Sequence, residues 1–466
     1  MPPPANISAI ALDLGTTSIK AGLLDRHGEL GNPVICHAPE IDQHGGHYES
    51  DALAYAETAE QALNECIALA GDCKSLGLCS QRSSFLVWEQ ATGKPLTPLI
   101  SWQDNRGSAS CEALRIHENV IRSLSGLPLT PYYFAAKLRV VLQDNPGWPA
   151  RLERGELRAG TLDTFLIWRL TGGKHFATDA SMAARTQLMD IRLQQWSAQL
   201  CELFDIPLGI LPEIKTSAGI GLQLKNGLVL QASVGDQSAA LFASVREDRP
   251  EALVNLGTGC FAIRYLPDGR TASKGYLQTL VYRDSARRVH FAIEGTLNSI
   301  AVAFASYPVK ECRVEDLAAD DIYCVAEPSG LGAPYFQADI GIRYSERVEH
   351  LSQRRIAALL LEAVIFRVAR ILEEFHREYA IERVFLSGGL SELTCLQHGI
   401  AQCVPFEVHH LRQSESSLQG AALLAAGMEP ASRRNSATIP ATDNAALRKK
   451  YLNWKLWLDD LLSGTS

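Results

Sequence analysis

The stretch "IALDLGTTSIKAGLLDRHG", Ile10 to Gly28, decides how the rest of the chain is read. An apolar run ends on one carboxylate, Asp13. Gly15, Thr16, Thr17 and Ser18 follow, and a second apolar run closes on Asp-Arg-His-Gly. This pattern predicts a β-hairpin over residues 8–28 with a Gly-Thr-Thr-Ser turn. The design returns in "ALVNLGTGCFAIRYLPDG", Ala252 to Gly269, where a second Leu-Gly-Thr lies 242 positions after the first and Asn255 replaces the acid. Solenoid repeats have periods of about 20–50 residues. The longer offset therefore implies a duplicated α/β domain, with each copy opening on a strand–turn–strand.

A turn rich in Gly and Thr presents successive backbone N–H groups and hydroxyls, and so forms a concave site for an anion such as phosphate. Gly15, Thr16, Thr17 and Ser18 supply one such turn, and Gly257, Thr258 and Gly259 supply the other. A single turn of this kind is weak evidence, because a tight hairpin needs glycine for structural reasons alone. Two at equivalent places in two domains suggest a nucleotide gripped from both sides. Asp13 would repel a phosphate unless a cation intervened. Mg²⁺ takes one or two carboxylates together with waters and substrate phosphates. Asp13 beside Thr16 thus reads as the metal-bearing copy, and Asn255 as the copy that meets phosphate alone. The competing reading of Asp13 is an acid that stabilises its own turn.

Around the hairpins, the spacing predicts a helix over residues 51–70 with Asp51 at its N-cap. Strands are expected in "SLGLCS" and "SFLVWEQATGKPL", and alternating helices and turns over 107–170. "ASVGDQSAALFASV" reads as a strand end, a Gly-Asp turn and a helix start. The charged, Pro-containing "REDRPEA" marks the best boundary and divides the chain into 1–245 and 246–466. Beyond it, residues 353–379 form a long helix with an apolar stripe from Ile356 to Phe375. "ERVFLSGGLSEL" gives strand, Gly-Gly turn and helix. Residues 429–446 read as a loose polar linker, and "LRKKYLNWKLWLDDLL" as an amphipathic helix.

Composition narrows the classes. The 466 residues are 46% hydrophobic and 21% charged, as in an ordinary globular protein with large cores. A net charge of −8 argues against nucleic acid as a partner, because duplex binding needs a basic surface. No apolar run reaches the roughly 18 residues of a membrane span, and "MPPPANIS" has no signal-peptide pattern. Eleven scattered cysteines without CxxC spacing imply reduced thiols and a cytoplasmic location.

"LDLGTTSIKAGLLD", "VNLGTGCF" and "VFLSGGLSE" resemble the two phosphate motifs and the adenosine motif of the sugar kinase, actin and Hsp70 superfamily. "SQRSSFLVWEQATGKPLTPLISWQDNR", "SGLPLTPYYFAAKL", "VGDQSAALFA" and "GLGAPYF" are similar to the FGGY carbohydrate kinases, with wording nearest to glycerol kinase-like members. The resemblance covers about residues 8–428. It implies two ribonuclease H-like (actin-like ATPase) α/β domains with ATP and substrate in a cleft between them, and a homodimer is common in the family.

By this resemblance Asp236 is the catalytic base. That fits the need of phosphoryl transfer for a group that orients the attacking hydroxyl and accepts its proton. Read on its residues alone, Asp236 is equally a helix N-cap. Lys20 stands where glycerol kinases place a phosphate-reaching Arg, keeping the charge but losing the bidentate fork. Gly388 and Gly389 match the turn that admits adenine, followed by Glu392. Arg82, Trp102, Tyr132, Asp236, Gln237 and Phe261 match the substrate pattern.

Ser83 departs from that pattern. Glycerol kinases read Gln-Arg-Glu where this chain reads Gln81-Arg82-Ser83, and losing a carboxylate acceptor for substrate hydroxyls costs roughly 1.5–3 kcal/mol. The space gained suits a longer or branched acceptor, such as a tetritol, pentitol or ketose. The chain also lacks the Met-His pair common here in xylulokinases and gluconokinases. The expectation is therefore an ATP- and Mg²⁺-dependent kinase of a sugar or polyol other than glycerol. Glycerol kinase and a xylulokinase-type pentulose kinase are the alternatives within the class, and a non-catalytic nucleotide sensor on the same fold is the alternative outside it.

Overall fold

A computed structural model describes residues 7–337, 339–412, 415–430, 436–441 and 444–464. The architecture is two-domain α/β, and the chain divides by its contacts into two compact units. The first holds the chain up to Ala243, residues Thr279–Phe291 and a segment beginning at Glu415; the remainder forms the second. The boundary expected at 245/246 lies two residues beyond the first crossing. The two later returns to the first unit leave no local mark in the sequence.

In the first unit the sheet runs Ala218–Gln223, Val229–Gly235, Ser75–Ser80, Ile7–Leu14, Ser18–Asp25, Leu30–His37. Ile7–Leu14 pairs antiparallel with Ser18–Asp25 and parallel with Ser75–Ser80, which is parallel in turn to Val229–Gly235. The first hairpin therefore forms as the alternation predicts. Its strands are fully buried at Ile10, Leu12, Leu14, Ile19 and Ala21, as expected where parallel pairing brings helices onto both faces. One of these helices is Ala52–Ile67, capped by the Asp51 carboxylate on the N–H groups of Leu53 and Ala54. Another, Ser416–Ala426, packs with Leu418, Ala421 and Ala422 against Ala9 and Ala11, and Ser75 Oγ donates to the Ala425 carbonyl at 2.8 Å.

The second unit repeats the plan. Glu251–Leu256 pairs antiparallel with Cys260–Tyr265 and parallel with Arg383–Ser387, which is parallel to Glu407–Leu411. The long helix spans Gln353–Tyr379 and buries every residue of the expected stripe. It also buries Leu361, Ile365 and Phe366: Ile365 packs on Gly399 of the helix Thr394–Cys403, and the terminal helix Ala445–Ser463 brings the Trp454 ring to 5.6 Å from that of Phe366.

Two local expectations are revised. Residues 429–446 are not simply a linker: Ser436–Ile439 adds an antiparallel strand beside Glu407–Leu411, with Ile439 buried opposite Val408. Residues 431–435 and 442–443 of that stretch lie outside the described residues. Within 107–170, Leu157–Thr161 is a strand paired with Phe85–Glu89. No helix among the described residues is long and apolar enough to cross a membrane.

Candidate active site

Asp13 lies one residue before the end of the first strand, 5% exposed, with Lys20 directly opposite across the hairpin. Its Oδ2 accepts from Ser417 Oγ at 2.7 Å, while Oδ1 is buried without a hydrogen-bond partner. Burial pushes the Asp13 carboxyl up to about 6, Ser417 opposes this, and the nearby Asp236 adds to it. A buried carboxylate oxygen lacking a donor is an oxygen suited to a hard cation. Among the described residues no group of three or more His, Cys, Asp or Glu could hold a metal. Mg²⁺ bound through one protein carboxylate, waters and phosphates needs no such cage.

The turn itself is held from behind. Tyr55 donates to the Gly15 carbonyl at 2.6 Å. A Cβ on residue 15 would lie 2.6 Å from the Ser18 carbonyl oxygen, so the turn requires glycine there for its own closure. At Gly257 the nearest atoms to such a Cβ are 3.9 and 4.0 Å away, so no comparable crowding enforces glycine there, whereas a Cβ on residue 259 would lie 2.9 Å from the Leu297 carbonyl oxygen. That turn is one residue shorter: Leu256 faces Cys260 across it, where Leu14 faces Ile19.

Thr16 belongs to a closed ring of hydrogen bonds. Trp102 Nε1 donates to Thr16 Oγ1 at 3.0 Å, and Thr16 donates to Gln81 Oε1 at 3.2 Å. Ser84 Oγ also donates to Gln81 Oε1, at 3.0 Å, and accepts the Trp102 N–H at 2.9 Å. The ring joins the phosphate-type turn to Trp102, an expected acceptor residue. Gln81 and Ser84 lie within "SQRSSFLVWEQATGKPLTPLISWQDNR", where nothing local marks either as a link between the turn and Trp102.

Asp236 opens the helix Asp236–Ser244 directly after the strand Val229–Gly235. Its Oδ1 accepts the Gln237 N–H at 2.7 Å and lies 3.5 Å from Arg82 Nε. Desolvation raises its carboxyl above the ordinary value, and the Arg82 and Arg185 guanidinium groups pull it back. Asp236 thus makes the helix-start contact and also stands beside a cation, with its side chain still 29% exposed.

Ser83 sits beside this pair in the left-handed region, at φ 65°. Its Oγ donates to the Arg185 carbonyl at 3.0 Å, and its own carbonyl accepts from the fully buried Lys137 Nζ at 3.0 Å. Lys137 also donates to the Ser101 carbonyl at 2.7 Å, and burial lowers its ammonium to about 7. No motif marks Arg185, and Lys137 stands one residue before the end of "SGLPLTPYYFAAKL" with nothing local to distinguish it. Tyr132 is exposed. Lys20 forms an ion pair with Glu415 at 2.5 Å.

The other expected residues lie in the second unit. Phe261 faces Asn255 across the second hairpin. Thr258 is exposed at its tip, and its carbonyl accepts the Ala301 N–H at 3.1 Å. Gly388 follows the strand Arg383–Ser387 at φ 88°, where a Cβ would lie 2.4 Å from Asn255 Oδ1. The strand end and the second turn therefore meet at a place only glycine fits. Gly389 has open space at its Cβ position, and Glu392 is exposed with Oε1 3.3 Å from His410 Nε2.

Comparison with known proteins bears on the whole constellation. Residues 8–243 match the N-terminal domain, and residues 252–428 the C-terminal domain, of the FGGY family of carbohydrate kinases. A glycerol kinase of Pseudomonas fluorescens is 30% identical over 96% of this chain and 95% of its own length. The fold matches that of a Plasmodium falciparum glycerol kinase crystallised with ADP, with a TM-score of 0.86 at 22% identity over 98% of each chain. It also matches a xylulose kinase of Rhodospirillum rubrum, with a TM-score of 0.80 at 19% identity over 97% and 98%. The chain belongs to the FGGY family of carbohydrate kinases, ATP-dependent phosphotransferases that take an alcohol group of a small molecule as acceptor.

Proposed function

We propose that this chain transfers the γ-phosphoryl group of MgATP to a hydroxyl of a sugar or polyol larger than glycerol. The observation that carries this reading is Ser83. At the position where glycerol kinases hold a carboxylate, this chain has a short side chain whose hydroxyl proton is already given to the Arg185 carbonyl. No carboxylate remains there to accept from a triol, and the vacated volume suits additional carbons. The relatives named glycerol kinase, at about 30% identity, favour the alternative that glycerol itself is accepted.

In this reading Asp236 takes the proton of the attacking hydroxyl, with Arg82 holding the carboxylate ionised and oriented. Arg82, Trp102, Tyr132, Gln237 and Phe261 line the acceptor. The turns at Gly15–Ser18 and Gly257–Gly259 meet the phosphates, while Gly388, Gly389 and Glu392 meet the adenosine. Asp13 would hold Mg²⁺, and the metal would supply charge neutralisation at the phosphates. Lys20 reaches phosphate by exchanging its Glu415 partner for a phosphoryl oxygen. The eleven cysteines are free, which supports a reducing, cytoplasmic setting.

The test is ADP release from MgATP over a panel of C3–C7 polyols, ketoses and sugar acids. The reading expects a C4–C6 acceptor to exceed glycerol in kcat/KM. Glycerol at the top of the panel would overturn the acceptor assignment.

A further inference from the structure

We propose that Ser181 is a positioning residue for Asp236, acting through the backbone that immediately precedes it. This inference rests on the reading of Asp236 as the base. The strand Val229–Gly235 ends where the base begins, so the direction of the Asp236 side chain is set by how that strand end is anchored. The Gly235 N–H donates to Ser181 Oγ at 2.8 Å, 54 positions away in sequence and fully inside the first unit.

The Ser181 hydroxyl is itself locked. Its proton goes to Asp179 Oδ1 at 3.0 Å, which leaves the oxygen lone pairs for Gly235. Asp179 is completely buried and saturated with donors. Oδ1 also accepts the Met182 N–H at 3.0 Å, and Oδ2 accepts the Ser181 N–H at 2.8 Å and Ser217 Oγ at 2.6 Å. A carboxylate held by four donors cannot turn, so the hydroxyl it orients cannot turn either.

Helix capping explains only part of this. The helix Ala180–Ala183 has four residues, and its N-terminus is satisfied by the Asp179 contacts to the Ser181 and Met182 N–H groups. The Ser181 side chain serves no intrahelical group; it is spent on the strand end that carries Asp236. The same short segment ends at Arg185, whose carbonyl accepts from Ser83 and whose positive charge favours the ionised form of Asp236. One seven-residue segment therefore registers both the proposed base and the proposed specificity position. Without Ser181 Oγ, the Gly235 N–H is buried with no acceptor, and the strand end relaxes to find one. An ångström of misplacement at a reacting group can cost about a hundredfold in rate.

The test uses the full-length enzyme with MgATP and the best acceptor of the panel. Ser181→Ala is expected to lower kcat roughly 10- to 100-fold, with the KM for MgATP changed by no more than about twofold. Asp179→Asn keeps an acceptor oxygen for the hydroxyl and is expected to lower kcat less. Ser217→Ala removes a donor from the same Asp179 but leaves the Gly235 contact intact. It is expected to lower the melting temperature as much as Ser181→Ala does while kcat stays within about twofold of wild type. Wild-type kcat in Ser181→Ala overturns the inference, as does a kcat that tracks melting temperature equally in both serine variants. Asp236→Asn separates the two levels. Near-normal turnover there removes the base assignment itself; a collapsed turnover with an unaffected Ser181→Ala removes only the positioning role.

Discussion

The two hairpins are built alike but carry different chemistry. In both, an antiparallel partner lies on one side of the opening strand and a parallel partner on the other. At the strand tip the first places a buried Asp13 with one unpartnered oxygen, and the second places Asn255 with its side-chain oxygen against Gly388. The first turn needs glycine at 15 for its own closure, whereas in the second Gly257 has room for a Cβ and Gly259 is crowded by the Leu297 carbonyl of a neighbouring strand. The first hairpin is wired by Thr16, Gln81, Ser84 and Trp102 to the acceptor residues; the second is not part of that ring. The lesson is that the duplicated scaffold supplies two Gly-Thr turns, and that a carboxylate stands at the strand tip of only one of them.

This asymmetry can be broken deliberately. Asp13→Ala removes the only carboxylate on either turn tip and is expected to raise the Mg²⁺ concentration needed for half-maximal activity by at least about tenfold, as read by metal titration of the rate. An unchanged Mg²⁺ dependence would take the metal role away from Asp13. Asn255→Asp makes the second turn resemble the first, but without a metal of its own. The added carboxylate is expected to repel the phosphates and raise the KM for MgATP roughly tenfold, equivalent to about 1.4 kcal/mol. An unaltered KM would mean that the second turn does not meet phosphate.

Ser83→Glu sharpens the contrast on the acceptor side. Restoring a carboxylate acceptor is expected to raise kcat/KM for glycerol relative to a C5 acceptor by roughly 10- to 100-fold, the equivalent of about 1.5–3 kcal/mol. No change in the ratio would mean that residue 83 does not set acceptor size.

The smallest effect is expected at Lys137. Burial lowers its pKa in the folded protein to about 7, from 10.5 for the ordinary group. Between these values the unfolded chain binds more protons than the folded one, so the lysine's contribution to stability rises with pH across that window and is lost as pH falls through about 7. The melting-temperature gap between wild type and Lys137→Met should therefore widen from pH 6 to pH 9. A gap that narrows would mean the ammonium is not desolvated as described.

Much of this was legible because it is local. The hairpins follow from alternation around Gly-Thr, the helix Gln353–Tyr379 from its stripe, and the Ser387-Gly388-Gly389 turn from its glycines. Asp236 was visible as a residue type at a strand–helix junction, and the family resemblance gave it a role. What stayed hidden joins distant residues. Ser417 reaches Asp13 across 404 positions, and Glu415 reaches Lys20 across 395. Both lie on a polar helix start that no periodicity distinguishes. The strand Ser436–Ile439 escaped notice because four residues of mixed polarity become a strand only when a sheet edge is there to pair with. Ser181 was hidden for a related reason: a buried serine in a run of small residues reads as packing until its acceptor role is seen.

The most direct test of the account is rapid-quench measurement of phosphoryl transfer by Asp236→Asn, alongside MgATP binding by calorimetry. The account predicts MgATP affinity close to wild type, with the transfer step slowed about 10²- to 10⁴-fold, the usual worth of a general base. Transfer at near wild-type rate by a variant that binds MgATP normally would contradict it.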